Sequence, residues 1–373
     1  MKARNVWLAA FLTAMLLTAC GPEATPLSTE TEISPGQGTP EGPTATLAEA
    51  GRTVTVMTHD SFDVSEQVVA AFQESCNCEV QFLQSGDAGL MLNQALLSKE
   101  NPMADVIYGV DNTFLARALS AGIYEAYDAP ALGQIPADFQ LDPTHRALPV
   151  DYGDVCINYD KAYFTENKLP VPRDLEELTN AEYKGLLVME NPATSSPGLA
   201  FLLATVKHFG DPGYLDYWRS LRANGLVVVD GWETAYYTNF SGSSGHGPQP
   251  LVVSYASSPP AEVMFATAPL KDAPTASIIG PDACFRQIEF VGILRGTAHL
   301  SLARQFVDFM LSKAFQADMP AQMFVYPVLP GVPLPEPFVK YAQVPPQPAT
   351  LPPQEIAEKR DGWIQAWTDA VLH

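Results

Sequence analysis

The feature that most constrains this chain is an alternation of strand-like and helix-like segments that begins at residue 53. Thr53-Val54-Thr55-Val56-Met57 reads as a strand, and a helix starting at Ser65 follows it with Val68, Val69 and Phe72 on one apolar face. Residues 79–83 alternate as a second strand and residues 90–97 read as a second helix. A short apolar strand at 104–108 precedes a helix from about Thr113 to Ala121, which stops at Gly122. This β-α-β-α-β order specifies an α/β fold, with a mostly parallel sheet covered by helices on both faces. Ligands of such sheets sit outside the carboxyl ends of the strands, so the loops at 58–62, 85–89 and 109–112 are candidate site loops.

A second unit spans 154–283. It contains a strand at 186–189, a helix at 197–209, a helix ending near Ala223 and a strand at 226–229. A helix after Gly231-Trp232 leads through a Gly/Ser loop at 241–247 to a strand at 251–255. A strand at 286–294 then precedes an amphipathic helix at 301–312 that carries Leu302, Phe306, Phe309 and Met310 on one face. The proline-rich stretch 327–353 reads as extended, and a last helix buries Ile356, Trp363, Trp367 and Val371. No internal repeat is visible. About 320 residues exceed the ~100–200 of one typical domain, so two lobes are expected.

The N-terminus sets the expected compartment. Lys2 and Arg4 precede an apolar run at 6–17, too short for a spanning helix. The run ends in Leu17-Thr18-Ala19-Cys20-Gly21, which resembles the lipobox of bacterial lipoproteins. That resemblance implies a signal peptide over 1–19, lipidation of Cys20 and an extracytoplasmic protein held at the membrane by its acyl chains. Residues 20–50 are rich in Pro, Thr, Glu and Gly and read as a disordered tether. The formal charge of -21 argues against binding nucleic acid or anionic lipid by charge, and mildly attracts a cationic ligand. Cys76, Cys78, Cys156 and Cys284 remain beside Cys20, an even number that suggests disulfides in an oxidising compartment. The spacing of Cys76 and Cys78 is too tight within a strand, although a turn relieves it. No second Cys or His pair stands at zinc-ligand spacing, so no metal site is expected.

Further blocks carry a resemblance over essentially the whole folded part. They include Thr58-His59-Asp60-Ser61-Phe62, Gly109-Val110-Asp111-Asn112, Asp151-Tyr152-Gly153, Thr194-Ser195-Ser196-Pro197-Gly198, Gly231-Trp232-Glu233-Thr234-Ala235-Tyr236, Ser254-Tyr255-Ala256-Ser257-Ser258-Pro259 and Met323-Phe324-Val325-Tyr326-Pro327. In order and spacing the chain resembles the thiamine-binding components of bacterial ABC transporters, which are type II periplasmic binding proteins. The resemblance implies a two-lobed fold with a two-crossing hinge: lobe 1 from 51–150 plus about 290–373, including the C-terminal helix, and lobe 2 from 154–283. It places Cys156 and Cys284 just past the two crossings, which favours their pairing as a disulfide. It also implies a thiamine or thiamine phosphate ligand, ABC permease and ATPase partners, a monomer, no cofactor and no catalysis.

The implied ligand set is His59, Asp60, Asp87, Asp111, Thr194, Ser195, Ser196, Trp232, Tyr236, Tyr255 and Ser257. Trp232 and Tyr255 match ring-packing positions with cation–π capacity, and Asp87 matches the family's carboxylate for the aminopyrimidine. Thr194, Ser195 and Ser196 precede Pro197 at a helix start, where free N–H groups suit a phosphate. Without the resemblance, Trp232 and Tyr255 read equally as core aromatics, Asp87 as a turn residue and Ser196-Pro197 as a simple helix start. Two positions depart from the family, which has tyrosines where this chain has His59 and Ala261. Tyr236, Tyr237 and Phe285 are the aromatics available to supply a replacement face. The alternatives are another cationic or phosphorylated solute, such as a thiamine precursor or a polyamine, or ferric iron at Tyr236-Tyr237. A lipid-anchored hydrolase is a remote reading, because Ser241 to His246 forms a loop and G-x-S-x-G, H-E-x-x-H and P-loop motifs are lacking.

Overall fold

The computed structural model describes residues 52–373. The expected leader, the expected lipidation site Cys20 and the expected tether lie outside the described residues. Among those described, eleven strands form one sheet. They are β1 (Thr53–Thr58), β2 (Glu79–Gln84), β3 (Val106–Asp111), β4 (Tyr124–Glu125), β5 (Leu148–Asp160), β6 (Leu187–Glu190), β7 (Val227–Val229), β8 (Leu251–Tyr255), β9 (Thr275–Ile278), β10 (Phe285–Leu294) and β11 (Tyr326–Pro327). The main path runs β2-β1-β3-β10-β5-β8-β6-β7, with β4 added to β10, and β9 and β11 added to β5.

The β1–β3 and β6–β7 pairings are parallel, as the strand-helix alternation requires, whereas β5 and β10 run antiparallel to their neighbours. β5 and β10 are also the longest strands, with 13 and 10 residues. β10 pairs with β3 through Glu289 to Ile293, and β5 pairs with β8 through Val155 to Tyr159. These two strands therefore join the β1–β3 half of the sheet to the β6–β8 half. Arg286 and Asp154 stand opposite each other in this pairing, and the guanidinium Nε and Nη2 donate to the Asp154 carboxylate at 2.6 and 3.0 Å. Just beyond them a disulfide joins Cys156 and Cys284 in a small buried cluster.

The helices follow from apolar periodicity and turn chemistry. The helix Ala88–Leu97 begins at Asp87, whose carboxylate accepts from the Ala88 N–H at 2.7 Å. The helix Leu115–Ala121 ends at Gly122 in the left-handed region, with φ of 69°. The helix Glu66–Cys76 ends at Asn77, also left-handed at φ 49°, and Cys76 is disulfide-bonded to Cys78 across that turn. The close spacing is thus accommodated at a helix end and not within a strand. Ser65 occupies the N-terminal cap position, but its side chain makes no capping bond.

Two sequence expectations are corrected. The proline-rich stretch contains a short helix, Glu336–Tyr341, which starts directly after Pro335 because proline is pre-organised for a first turn. The segment after Trp232 is a single π-helical turn, Thr234–Asn239, in place of an ordinary helix. The final helix Pro353–Val371 touches both halves of the sheet. Arg360 lies over the Phe114 ring at 4.5 Å, while Trp367 meets Trp218 edge-on at 5.7 Å.

The Cys156–Cys284 bond closes a sequence separation of 128 residues between the two central strands. Replacing both cysteines by alanine is expected to cost about 2–4 kcal/mol of stability. Urea unfolding of the double variant beside the parent, both oxidised, measures it.

Candidate functional site

The carboxyl ends of the parallel strands open on one cleft of about 380 Å³, within the ~300–1,000 Å³ typical of small-molecule sites. The loop after β1 contributes His59, Asp60 and Phe62, and the turn after β2 contributes Asp87. Opposite them stand Ser196 and Pro197 after β6, Trp232, Glu233, Tyr236 and Tyr237 after β7, and Tyr255 at the end of β8. Glu289 of β10 and the segment from Met323 to Val325 complete the lining. Among the described residues, five carboxylate residues line the cleft (Asp60, Asp63, Asp87, Glu233 and Glu289), and no lysine or arginine does.

Asp87 bridges the cleft. Besides capping its own helix, its carboxylate accepts the Ser196 N–H and the Trp232 N–H, each at 3.1 Å. Burial raises its pKa, and these backbone donors act against that rise. The first free donor of the helix Ser196–Phe209 is therefore taken by a carboxylate, and the next residue, Pro197, has no N–H. Of the N–H groups at 194–196, those of Thr194 and Ser195 are bonded to the Asn191 carbonyl and that of Ser196 to Asp87. Thr194 faces away, its hydroxyl donating to the Asp230 carbonyl at 2.7 Å, and Ser195 is fully buried. Neither lines the cleft, and neither do Asp111 and Ser257. Ser257 is buried, and Asp111 accepts from the Thr113 N–H and hydroxyl at 2.7 and 2.6 Å and from Gln287.

The aromatic walls come from the β7–β8 side. The Trp232 ring stacks on Tyr236 at 4.9 Å, and its indole N–H donates to Ser254 Oγ at 2.9 Å. Tyr255 donates its hydroxyl to Gln287 Oε1 at 2.9 Å, and Gln287 in turn donates to Ser196 Oγ at 2.7 Å. Both rings are thus fixed before any ligand arrives. Ala261 lines the cleft, and Phe265, one helical turn further on, lines it too and is 65% exposed. Phe265 meets Phe324 edge-on at 5.5 Å. Phe324 holds a left-handed φ of 54°, an unusual conformation for a bulky side chain. Of the replacement faces expected from sequence, Tyr236 and Tyr237 line the cleft, whereas Phe285 is buried on β10 away from it.

At the deep end, three acids lie in one row. Glu289 of β10 is in register with Asp111 of β3 on one side and with Asp151 of β5 on the other. Tyr108 donates its hydroxyl to Asp151 at 2.5 Å and lies 3.2 Å from Glu289. Burial raises the pKa of Asp111 to about 6 and of Asp151 to about 7. Burial and then the charges of Asp151 and Asp111 push Glu289 well above the ordinary carboxyl range. Glu289 was missed from sequence, because a single acid inside an apolar strand gives no local signal of its neighbours. Its neighbours Ile288, Phe290 and Val291 read only as core.

His59 sits above this row, with Nε2 3.6 Å from Glu289 Oε1. Gly109, at φ +100°, makes room for it, since a Cβ there would overlap the imidazole. The ring is 8% exposed, and burial lowers its pKa to about 4.

A small-molecule cleft at the strand ends of a sheet whose halves share two central strands is the site of a solute-binding protein. The chain belongs to the bacterial extracellular solute-binding protein family, whose model matches residues 101–360. It is 32% identical over 327 residues to the thiamine-binding periplasmic protein of Escherichia coli, covering 85% of this chain and 93% of that protein. The Salmonella typhimurium thiamine-binding periplasmic protein is also 32% identical, over 88% of this chain and 96% of its own length. A solved periplasmic thiamin binding protein superposes with a TM-score of 0.76 at 29% identity, covering 87% of this chain and 98% of that one. The fold is that of the type II periplasmic binding proteins, as expected from the sequence.

His59 is neutral in the folded protein above pH 4 but ionises near 6.5 when unfolded. Its contribution to stability is therefore fully present above pH 6.5 and is lost as the pH falls through about 4. Denaturation at pH 7 and pH 4 checks this: the parent should lose stability on acidification relative to His59→Phe, and His59→Phe showing the larger acid loss would contradict it.

Proposed function

We propose that this protein is the extracytoplasmic binding component of an ABC importer and that its solute is thiamine. The observation that supports it best is the lining of the cleft. Stacked and edge-on aromatics and five carboxylate residues, with no lysine or arginine, suit a flat organic cation. Thiamine has a permanently charged thiazolium and an aminopyrimidine whose hydrogen-bonding edge suits carboxylates. The names of the relatives point the same way. A ferric reading of Tyr236-Tyr237 is disfavoured by burial of the Tyr236 hydroxyl, which raises its pKa and opposes the phenolate a ferric ion needs.

In this reading the protein binds without chemistry. Lobe 1 (51–150 and about 290–373) and lobe 2 (154–283) rotate about β5 and β10. The ligand stabilises the closed form because it touches both sides, and the closed form docks on the permease. The lipidated Cys20 holds the monomer at the membrane, and residues 20–50 give it reach. The closing contact is backbone to backbone: the Gly89 N–H donates to the Thr194 carbonyl at 3.1 Å, and a Cβ on Gly89 would come within 2.6 Å of that oxygen.

Calorimetric titration of ligand-stripped protein tests the solute. Thiamine should bind one to one, and its monophosphate should bind no more than a few-fold tighter, because Asp87 occupies the helix start where a phosphate would seat. Absence of heat with both would sink the thiamine reading. Gly89→Val should hold the cleft open, lowering thiamine affinity at least tenfold with little change in ligand-free melting. Small-angle scattering should then show no compaction on adding thiamine.

A further inference from the structure

The row Asp111–Glu289–Asp151 spans three adjacent strands; Arg360 of the final helix acts by charge on its Asp111 end, and among the described residues no lysine or arginine forms an ion pair with Glu289 or Asp151. Arg286, the nearest cation in sequence, points to the other side of β10, where Asp154 and the Tyr152 ring hold it. The groups facing Glu289 are His59 from the loop after β1, Tyr108 and Asp111 of β3, Asp151 of β5 and, by its charge coupling, Tyr255 of β8. His59 is neutral, the two tyrosines hold their protons, and Gln287 partners Asp111. Like charges directly opposite across strands repel, and more strongly where water is excluded.

Counting donors leaves one proton missing. Tyr108 has a single O–H, given to Asp151, yet its oxygen also lies 3.2 Å from a Glu289 oxygen. Asp151 and Glu289 also face each other in register on adjacent strands, both beside the Tyr108 hydroxyl. Two buried carboxyls so placed share a proton. Glu289 nevertheless lines the cleft, so this proton lies at the ligand's door. A second observation points the same way. His59 also lines the cleft and is more than nine-tenths buried, and its Nε2, 3.6 Å from Glu289 Oε1, has no hydrogen-bond partner.

We propose that the deep end of the cleft seats the ligand's positive charge against Glu289 by exchange, the bound organic cation replacing the proton that Glu289 shares with Asp151. The proton goes to solvent, Glu289 becomes a carboxylate, and the net charge of the site is conserved. Glu289 then determines both the preference for cations and the pH at which they are held. The inference rests on the cationic-solute reading above and adds the residue and the proton to it. Because binding requires deprotonation, affinity rises with pH while the pair still holds its proton, and levels off once it is lost.

Titration of the purified protein with thiamine, in two buffers of different ionisation enthalpy, reads the exchange directly. About one proton should be released per thiamine at pH 6, and the release should fall once the pH is high enough for the empty pair to lose that proton. Affinity should climb by up to about tenfold per pH unit for as long as the empty pair holds its proton. Glu289→Gln should abolish both the release and the slope, and weaken binding at pH 8 at least tenfold. If that variant does not fold, Asp151→Asn serves, since Glu289 left without its partner should ionise earlier and move the slope to lower pH. No release at pH 6 overturns the exchange, and a slope that persists in Glu289→Gln overturns it by assigning the proton to Asp111. If thiamine does not bind, choline and putrescine are titrated in the same way. Proton-releasing binding of either keeps the exchange and discards thiamine, and no binding of any of the three overturns both.

Discussion

The antiparallel pairing of β5 with β10 positions everything else in the cleft. Those strands are shared by both halves of the sheet, so their register decides which side chains face each other at its centre. It sets Asp154 opposite Arg286 on one face and Asp151 opposite Glu289 on the other. It also brings Cys156 and Cys284 together. A slip of one residue would send the acids to the opposite face and bury the arginine in their place. The salt bridge and the disulfide lie along the same two strands as the acid pair and hold that register. They keep in place an arrangement of like charges that the sheet by itself would disfavour.

The cleft uses the two faces of this pairing differently. On one face charge is neutralised within the protein, by Arg286 on Asp154. On the other it is left for something else to neutralise: a proton when the cleft is empty and, as proposed, a cation when it is filled. Around this floor the aromatic groups are already placed. Trp232 is held by Ser254 and Tyr236, and Tyr255 by Gln287. A rigid wall loses little freedom when a flat ring packs on it, and this is the physical advantage of having the rings fixed beforehand. Asp87 has a mixed role, since one carboxylate caps a helix, ties two loops across the cleft and still faces the interior.

Much of the fold was legible from residues 53–122, because parallel strands and their covering helices leave strong apolar periodicities. The stop at Gly122 and the buried face of the final helix were likewise readable from local chemistry, whereas Asp87 reads as a turn residue and its capping of the second helix was not. The π-helical turn after Trp232 and the helix within the proline-rich stretch were not, because both depend on packing and not on period. Of the expected ligand set, His59, Asp60, Asp87, Ser196, Trp232, Tyr236 and Tyr255 reach the cleft, and Asp111, Thr194, Ser195 and Ser257 do not. These four stand one position from the surface or behind it. The direction in which a side chain leaves a loop depends on backbone angles that sequence spacing leaves open.

By itself the sequence determined the α/β class, the order of the elements and the loops at which a ligand would be held. Those features follow from short-range periodicity and from the handed connections of parallel strands. Only the tertiary structure decided that Glu289 would stand between Asp111 and Asp151, and that Asp87 would accept the first N–H of the helix after β6. It also decided that Phe265 and Phe324 would meet at the mouth of the cleft. Each of these joins residues far apart in the chain: charge and stacking act through space over a few ångströms, and periodicity along the chain carries no record of such distances.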